Sequence, residues 1–253
     1  MKTAIQMSLA TAGVLALVCG SSAGTKKLDS TSGKNAGTAY SMEAPADAEL
    51  STNPGDAFWQ GAQPIVAERD PWGKTVKGYR TTIYSRWTEK NLYFLFVCPY
   101  QDLRLKEDPQ TATETNELWK WDVAEVFIGW NFDDIKQYKE FEMSPQGEWV
   151  DLDIDLEHPH EGGGWKWNSG FQVAARIDRG QKIWYGAMKI PMTAIANGPV
   201  QGGTRFRINF YRSQWAADGG KKIMWQAVMN ESFHTPDKFG ILELVAPSTV
   251  TTK

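Results

Sequence analysis

A tryptophan-rich segment that leads into an acidic strand is the first candidate for binding chemistry. Trp119 and Trp121 precede an apolar strand pattern in which Glu125 shares one face with Val123 and Phe127. A carboxylate on an apolar face costs free energy unless it is paired or hydrated. Glu125 is therefore either part of a structural salt bridge or a hydrogen-bonding group at the floor of a cleft.

A second candidate segment lies just before the last predicted strand. Phe233 and His234 precede Pro236 and the strand pattern at 241–244. An aromatic ring and an imidazole in such a loop can both contact a ligand. A packing role for Phe233 and a turn role for His234 are the alternatives.

An acidic run that begins at Asp151 raises the question of metal binding. Aspartates at every second position up to Asp155 alternate with apolar residues, which favours a strand with an acidic outer face. A calcium loop of the EF-hand type needs glycine at its sixth position, where this segment has Leu156. We therefore predict no metal site and no cofactor. Calcium at this segment is the first alternative, and a transition metal at His158 and His160 is the second.

The composition restricts the chain to a few classes. The chain has 253 residues, of which 42% are hydrophobic, and a formal net charge of −3. That length fits one globular domain with appendages, and no basic surface is predicted that would bind nucleic acid or an anionic membrane. The 12 tryptophans are more than a core readily absorbs, because each indole needs a partner for its N–H group. Trp165 and Trp167 follow a glycine run and form either an accessory aromatic platform or an adaptable exposed loop.

The N-terminal segment has the organisation of a secretory signal. A short positive start is followed by an apolar stretch and then by small residues up to Ala23. We expect residues 1–23 to be a signal peptide and residues 24–45 a flexible linker, with the mature chain exported to the periplasm, the cell surface or the medium. Cys19 lies where a lipoprotein cysteine would lie, but Val18 before it does not suit that processing, so a lipid anchor is the alternative.

Strand patterns dominate the rest of the sequence. Alternation with a period of two covers Tyr79–Trp87, Gly170–Asp178 and Arg205–Tyr211, and turn sequences separate such runs. This pattern predicts an all-β fold, an antiparallel β-sandwich that is jelly-roll-like with immunoglobulin-like layers. We expect the domain to span residues 46–246, to leave 247–253 as a tail, to be monomeric and to contain no transmembrane span.

Three motifs, taken in order, resemble those of one family. They are Asn-Leu-Tyr-Phe at 91–94, Trp-x-x-Asp-x-x-Glu-Val-Phe at 119–127 and Pro-x-x-Phe-Gly at 236–240. Together they are similar to the carbohydrate-binding module family 9-like domain. The resemblance extends over about residues 50–245.

This resemblance implies a β-sandwich that holds a saccharide between two aromatic side chains. Trp119 and Phe233 match the two aromatic positions of the family, and Glu125 matches its acidic hydrogen-bonding residue. Phe233 replaces a second tryptophan and Glu142 replaces an arginine, so the preference of the family for a reducing-end sugar is not carried over. The predicted ligand-binding residues are Trp119, Trp121, Glu125, Glu142, Phe233 and His234.

The sequence thus predicts an exported, non-catalytic module that binds a saccharide or polysaccharide and supports its recognition or breakdown. The first alternative is a glycoside hydrolase that uses Glu125 and Glu142. Its two carboxyl groups would have to lie about 5–5.5 Å apart for retention or roughly 6.5–9.5 Å apart for inversion. The second alternative is a haem- or metal-binding sandwich domain with His234 as a ligand. The identity of the sugar, its linkage and any partner enzyme stay open.

Overall fold

A computed structural model of the chain describes residues 37–158, 165–215, 217 and 219–247. Within these ranges the chain forms strands joined by turns, with one short α-helix, so the all-β prediction is confirmed. The strands are β1 (Thr38–Glu43), β2 (Ile65–Ala67), β3 (Thr81–Trp87), β4 (Asn91–Pro99), β5 (Val123–Gly129), β6 (Gln137–Met143), β7 (Trp149–Asp155), β8 (Gln172–Asp178), β9 (Ile183–Pro191), β10 (Arg205–Gln214), β11 (Lys221–Met224) and β12 (Gly240–Val245). The helix α1 is Met192–Ile195, and 3₁₀ turns form at Ala57–Trp59, Leu118–Lys120 and Pro236–Lys238. None of the described helices is long and apolar enough to cross a membrane.

The strands join in one mixed sheet. Its order is β7-β6-β5-β10-β12-β1-β3-β4-β9-β8, with β11 paired to β10 and β2 paired to β3. The predicted antiparallel arrangement is corrected at β1, which runs parallel to both β12 and β3. No hairpin joins β1 to either neighbour, and therefore no tight turn imposes an antiparallel direction on it.

The strand β1 also corrects the predicted domain boundary. Residues 24–45 were expected to form a linker, yet Thr38–Glu43 pairs with β12 from Thr38 opposite Ile241 to Met42 opposite Val245. This strand buries the small residues Ala39 and Ser41, whose weak hydrophobicity hides the strand pattern in the sequence. The predicted signal peptide with Cys19, residues 24–36 of the linker and residues 248–253 of the tail lie outside the described residues.

The two halves of the sheet pack face to face in a sandwich-like arrangement. Phe94 of β4 lies edge-on to Phe210 of β10, with ring centroids 5.2 Å apart. Gly186 of β9 faces Met143 of β6, where a Cβ atom would come within 2.2 Å of the methionine methyl group. A side chain at position 186 would therefore force Met143 to move from its place in the core.

Strands β5, β6 and β7 carry buried residues on both faces. On β5, Ala124, Val126 and Ile128 face the core between the halves. The opposite face carries Val123 and Phe127, which belong to a second apolar cluster outside the sandwich. Loops of the chain therefore cover this apolar face and keep most of it from water.

The acidic run on β7 does not bring its aspartates together as a metal site. Asp151 is fully buried and accepts a hydrogen bond from the backbone N–H of Ser169 at 2.8 Å. Asp153 pairs with Lys139, and Asp155 lies 3.0 Å from the ring of His158. The expected strand is present, but Asp151 faces inwards, because it lies opposite Phe141 in the register of β6 and β7. His160 lies outside the described residues.

Candidate functional site

A cleft of about 600 Å³ opens on the outer face of β5 and β6. Its floor is formed by these two strands, and its walls come from the 3₁₀ turn at 118–120 and from the loop at 231–234 that precedes β12. The residues that line it are Asn116, Glu117, Trp119, Glu125, Phe127, Glu140, Glu142, Leu152, Trp165, Ser213, Lys222, Glu231, Ser232, Phe233 and His234.

Three carboxyl groups form the acidic part of the floor. Glu125 on β5 lies directly opposite Glu142 on β6, and Glu140 lies two residues before Glu142 on the same face. Their exposed fractions are 2%, 0% and 3% for Glu125, Glu142 and Glu140, respectively. One oxygen from each carboxyl group lies within 4.8 Å of the others. We call these three residues the carboxyl triad.

Burial and mutual repulsion make the charged state of the triad unfavourable. Burial, followed by the nearby Glu140 carboxylate, raises the pKa of Glu125 to about 8. Burial raises the pKa of Glu140 to about 7. The pKa of Glu142 lies well above its ordinary value, first because of burial and then because of the other two carboxylates.

Few hydrogen bonds compensate these carboxyl groups. The hydroxyl of Ser213 donates to Glu125 Oε1 at 3.1 Å. Both oxygens of Glu142 and Oε2 of Glu140 have no hydrogen-bond partner among the described residues. Buried polar atoms normally have partners in native structures, so these oxygens are candidates for contact with a shared proton, a water or a ligand.

Aromatic side chains form the walls of the cleft. The side chain of Trp119 is 42% exposed. Trp165 also lines the cleft, and its indole N–H donates to the backbone oxygen of Asp155 at 3.0 Å. Phe233 stacks on Tyr211 with ring centroids 4.4 Å apart and an angle of 12° between the planes. Tyr211 thus covers one face of the Phe233 ring, and only the other face is available to a ligand.

The exposed position of Trp119 follows from how its 3₁₀ turn is anchored. Leu118 is fully buried in the outer apolar cluster. Asp122, just after the turn, accepts hydrogen bonds from the backbone N–H groups of Arg104 at 3.0 Å and Trp215 at 2.6 Å. A further bond comes from the side chain of Gln214 at 2.6 Å. These anchors on both sides leave the Trp119 indole at the rim of the cleft.

His234 is held by a neighbour rather than free to titrate in solvent. Its Nδ1 atom lies 2.7 Å from the hydroxyl of Tyr138, and its ring lies 5.3 Å from that of Phe127. Burial lowers the pKa of His234. A neutral imidazole with a fixed orientation can exchange hydrogen bonds with a polar ligand at its remaining nitrogen.

Five of the six predicted site residues lie in this one cleft. Trp119, Glu125, Glu142, Phe233 and His234 all line it, although they come from separate parts of the sequence. Trp121 is half-buried and is not among the lining residues, because the 3₁₀ turn ends there and the chain turns into β5. The role of the five lining residues in ligand binding stays a prediction.

Sequence reasoning missed Glu140 and Lys222, which also line the cleft. The period of two along β6 places Glu140 on the face of Glu142 and was a usable signal. For Lys222 there was no such signal, because β11 meets the site only through its pairing with β10. The sequence suggests Trp165 as part of an accessory aromatic platform but does not indicate that it lines the same cleft as Trp119.

The sequence comparison identifies the family of this chain. Residues 52–246 match the family described as Carbohydrate family 9 binding domain-like. The chain belongs to this family. The carbohydrate family 9 binding domain-like family is carbohydrate-binding and non-catalytic, which supports the prediction of a binding module and disfavours the glycoside hydrolase alternative. No curated protein matches the chain.

Solved structures of carbohydrate-binding proteins, two of them family 9 modules, have a similar fold. A candidate carbohydrate-binding protein from Bacteroides uniformis ATCC 8492 is 15% identical, with a TM-score of 0.63 over 82% of this chain and 99% of that chain. A family 9 module from Caldicellulosiruptor kristjanssonii in complex with glucose is 13% identical, with a TM-score of 0.61 over 85% and 100% of the two chains. A family 9 module from the same organism in complex with cellotriose is 12% identical, with a TM-score of 0.58 over 85% and 97%.

Proposed function

We propose that this chain is an exported carbohydrate-binding module that holds a saccharide in the cleft, against Trp119 and Phe233. The observation that carries the proposal is the combination of aromatic walls with a carboxyl-rich floor in one cleft. A pyranose ring has apolar C–H faces and a polar hydroxyl edge. A site for it therefore needs flat rings beside fixed hydrogen-bonding groups.

Each part of the cleft has a role in this proposal. The exposed indole of Trp119 and the part of the Phe233 ring that Tyr211 and Lys222 leave uncovered would contact the C–H faces of a sugar ring. Glu125, with Ser213 beside it, would accept or donate hydrogen bonds at the hydroxyl edge. The ammonium group of Lys222 lies 5.4 Å from the centroid of Phe233 and would reach hydroxyl groups at the rim.

Glucose and short gluco-oligosaccharides are the first ligands to test. Family 9 modules have been solved with glucose and with cellotriose bound. A cleft of about 600 Å³ also lies within the size range usual for small-molecule sites, roughly 300–1,000 Å³. A saccharide of few rings, rather than a flat crystalline polymer surface, is the ligand proposed.

Export is proposed from the sequence of residues 1–23 alone. The mature chain would act outside the cytoplasm, as a monomer, in the recognition or breakdown of polysaccharide. Intact-mass measurement of the protein recovered from cell fractions distinguishes cleavage near Ala23 from lipidation at Cys19. Recovery of the uncleaved chain in the cytoplasm would contradict export.

Isothermal titration of the full chain with a saccharide panel tests the function. We expect saturable binding of at least one gluco-oligosaccharide, and weaker binding after Glu125→Gln, which keeps the shape of the side chain. The matched control is Glu68→Gln. Glu68 directly follows β2, and its partly exposed carboxylate pairs with Arg80. Absence of binding to every sugar in the panel would overturn the proposal.

A further inference from the structure

The geometry of the carboxyl triad matches the first coordination sphere of a cation. An oxygen ligand lies about 2.3–2.6 Å from a bound Ca²⁺, so two ligands on opposite sides of the ion are at most about 5 Å apart. One oxygen each of Glu125, Glu140 and Glu142 satisfies this limit, because all three atoms lie within 4.8 Å of one another. Adjacent strands hold the three side chains on one face, so little rearrangement would be needed to enclose an ion.

The unpaired oxygens point to a ligand independently of this clustering. Glu142 is fully buried and lines the cleft, yet neither of its oxygens has a hydrogen-bond partner among the described residues. Oε2 of Glu140, which is 3% exposed, is in the same situation. Of the neighbouring strands, β10 supplies the hydroxyl of Ser213 to Glu125, and no described side chain other than a protonated carboxyl of the triad is placed to donate to Glu142.

Lys222 lines the cleft and its charge counteracts part of the rise in the pKa of Glu125, but its ammonium group has other partners. Lys222 is drawn to the rim, where it donates to the backbone oxygen of Glu231 and lies 3.9 Å from the carboxylate of that residue. It also lies over the ring of Phe233. His234 is bonded to Tyr138 and is disfavoured as a cation by burial. Among the described residues no basic side chain forms an ion pair with the triad, so either protons or a bound cation must balance its charge.

The donor set restricts which ion is suitable. All three groups offer oxygen only, which suits hard cations and disfavours those that prefer nitrogen or sulfur ligands. Ca²⁺ accepts irregular sets of carboxylates and needs six to eight oxygens, whereas Mg²⁺ demands a near-octahedral set and usually keeps several waters. A set of three buried glutamates therefore suits Ca²⁺ better than Mg²⁺, which is usually bound by one or two carboxylates.

We propose that Glu125, Glu140 and Glu142 form a binding site for Ca²⁺ at the floor of the cleft. The side of the ion that faces the cleft would be open to water or to hydroxyl groups of a bound saccharide. The proposal goes beyond saccharide binding and does not depend on it, because the ion is measured without any sugar. Failure of one proposal therefore leaves the other intact.

Thermal unfolding of the full chain, after removal of metal with a chelator, gives the first test. Addition of Ca²⁺ at a hundredfold excess over its dissociation constant should raise Tm by roughly 5–10 °C, with a smaller effect of Mg²⁺. Tb³⁺ provides a direct probe, because Trp119 and Trp165 line the same cleft and can sensitise its luminescence. Ca²⁺ should displace Tb³⁺ and abolish this emission.

Glu142→Gln separates an ion site from a structural cluster. This substitution removes a group that can ionise without changing the shape of the side chain, and the ionised state is unfavourable in the metal-free protein, so that protein should unfold at the same or a higher temperature. The rise of Tm with Ca²⁺ and the Tb³⁺ emission should both be lost. Glu68→Gln should retain both responses.

Two results would overturn the proposal. One is the absence of saturable Ca²⁺ binding to the metal-free wild-type protein at millimolar concentration. The other is undiminished Ca²⁺ binding in Glu142→Gln. If that variant fails to fold, Glu140→Gln takes its place, and the wild-type titration with Ca²⁺ decides by itself.

Discussion

Replacing Trp119 by alanine should weaken saccharide binding by roughly eightfold. The indole is 42% exposed in the cleft wall. With a side-chain area of up to ~250 Å², this leaves ~100 Å² accessible, of which a stacked sugar ring would cover about half. At ~25 cal/mol per Å², the lost contact corresponds to about 1.2 kcal/mol of binding free energy.

Isothermal titration with the smallest saccharide that binds is the appropriate assay, because it does not depend on tryptophan fluorescence. Trp72→Ala is the matched control. Trp72 is 50% exposed and lies outside this cleft, in a neighbouring depression that also contains Asp70 and Lys74. Its removal should leave the affinity for a small sugar within twofold of the wild type.

The buried anchors of the 3₁₀ turn keep this experiment interpretable. Leu118 and Asp122 hold the backbone on both sides of Trp119, so the alanine variant should keep its fold. Circular dichroism and Tm check this directly. Unchanged affinity in Trp119→Ala, or an equal loss in Trp72→Ala, would refute the assignment of the sugar to this wall.

Further predictions concern Tyr138 and Asp122, which support the site, and Gly186 in the core between the two halves of the sheet. Tyr138→Phe removes the partner of His234 Nδ1 and should lower the free energy of unfolding by about 1 kcal/mol, measured by chemical denaturation, with weaker sugar binding as a second readout. Asp122→Asn leaves at least one of the donors around it without an acceptor, and should cost about 2 kcal/mol. Burial raises the pKa of Asp122 to about 6 from the ordinary 3.8, so the folded state binds more protons between these values. The contribution of Asp122 to stability should therefore fall as pH rises from about 4 to about 6, and this slope should be absent from Asp122→Asn. Gly186→Ala places a Cβ atom against Met143 and should cost about 1–3 kcal/mol, and a neutral result would show that the core relaxes easily.

Much of the fold was accessible from local sequence patterns. The period of two predicted at residues 79–87, 170–178 and 205–211 overlaps β3, β8 and β10, because alternation decides which side chains share a face. The motif at 119–127 was correctly placed before and along β5. Strand β1 was missed because its buried residues, such as Ala39 and Ser41, are small.

The sequence by itself determined the strand character of the chain, the family and the pair Trp119 and Glu125 in one short segment. Tertiary structure decided which carboxyl groups meet. Glu140 and Glu142 reach Glu125 only through the register of β6 on β5, and Phe233 meets Tyr211 only when the last loop folds over β10. Side-chain alternation is a property of one strand, whereas register and loop placement depend on contacts between residues far apart in the chain.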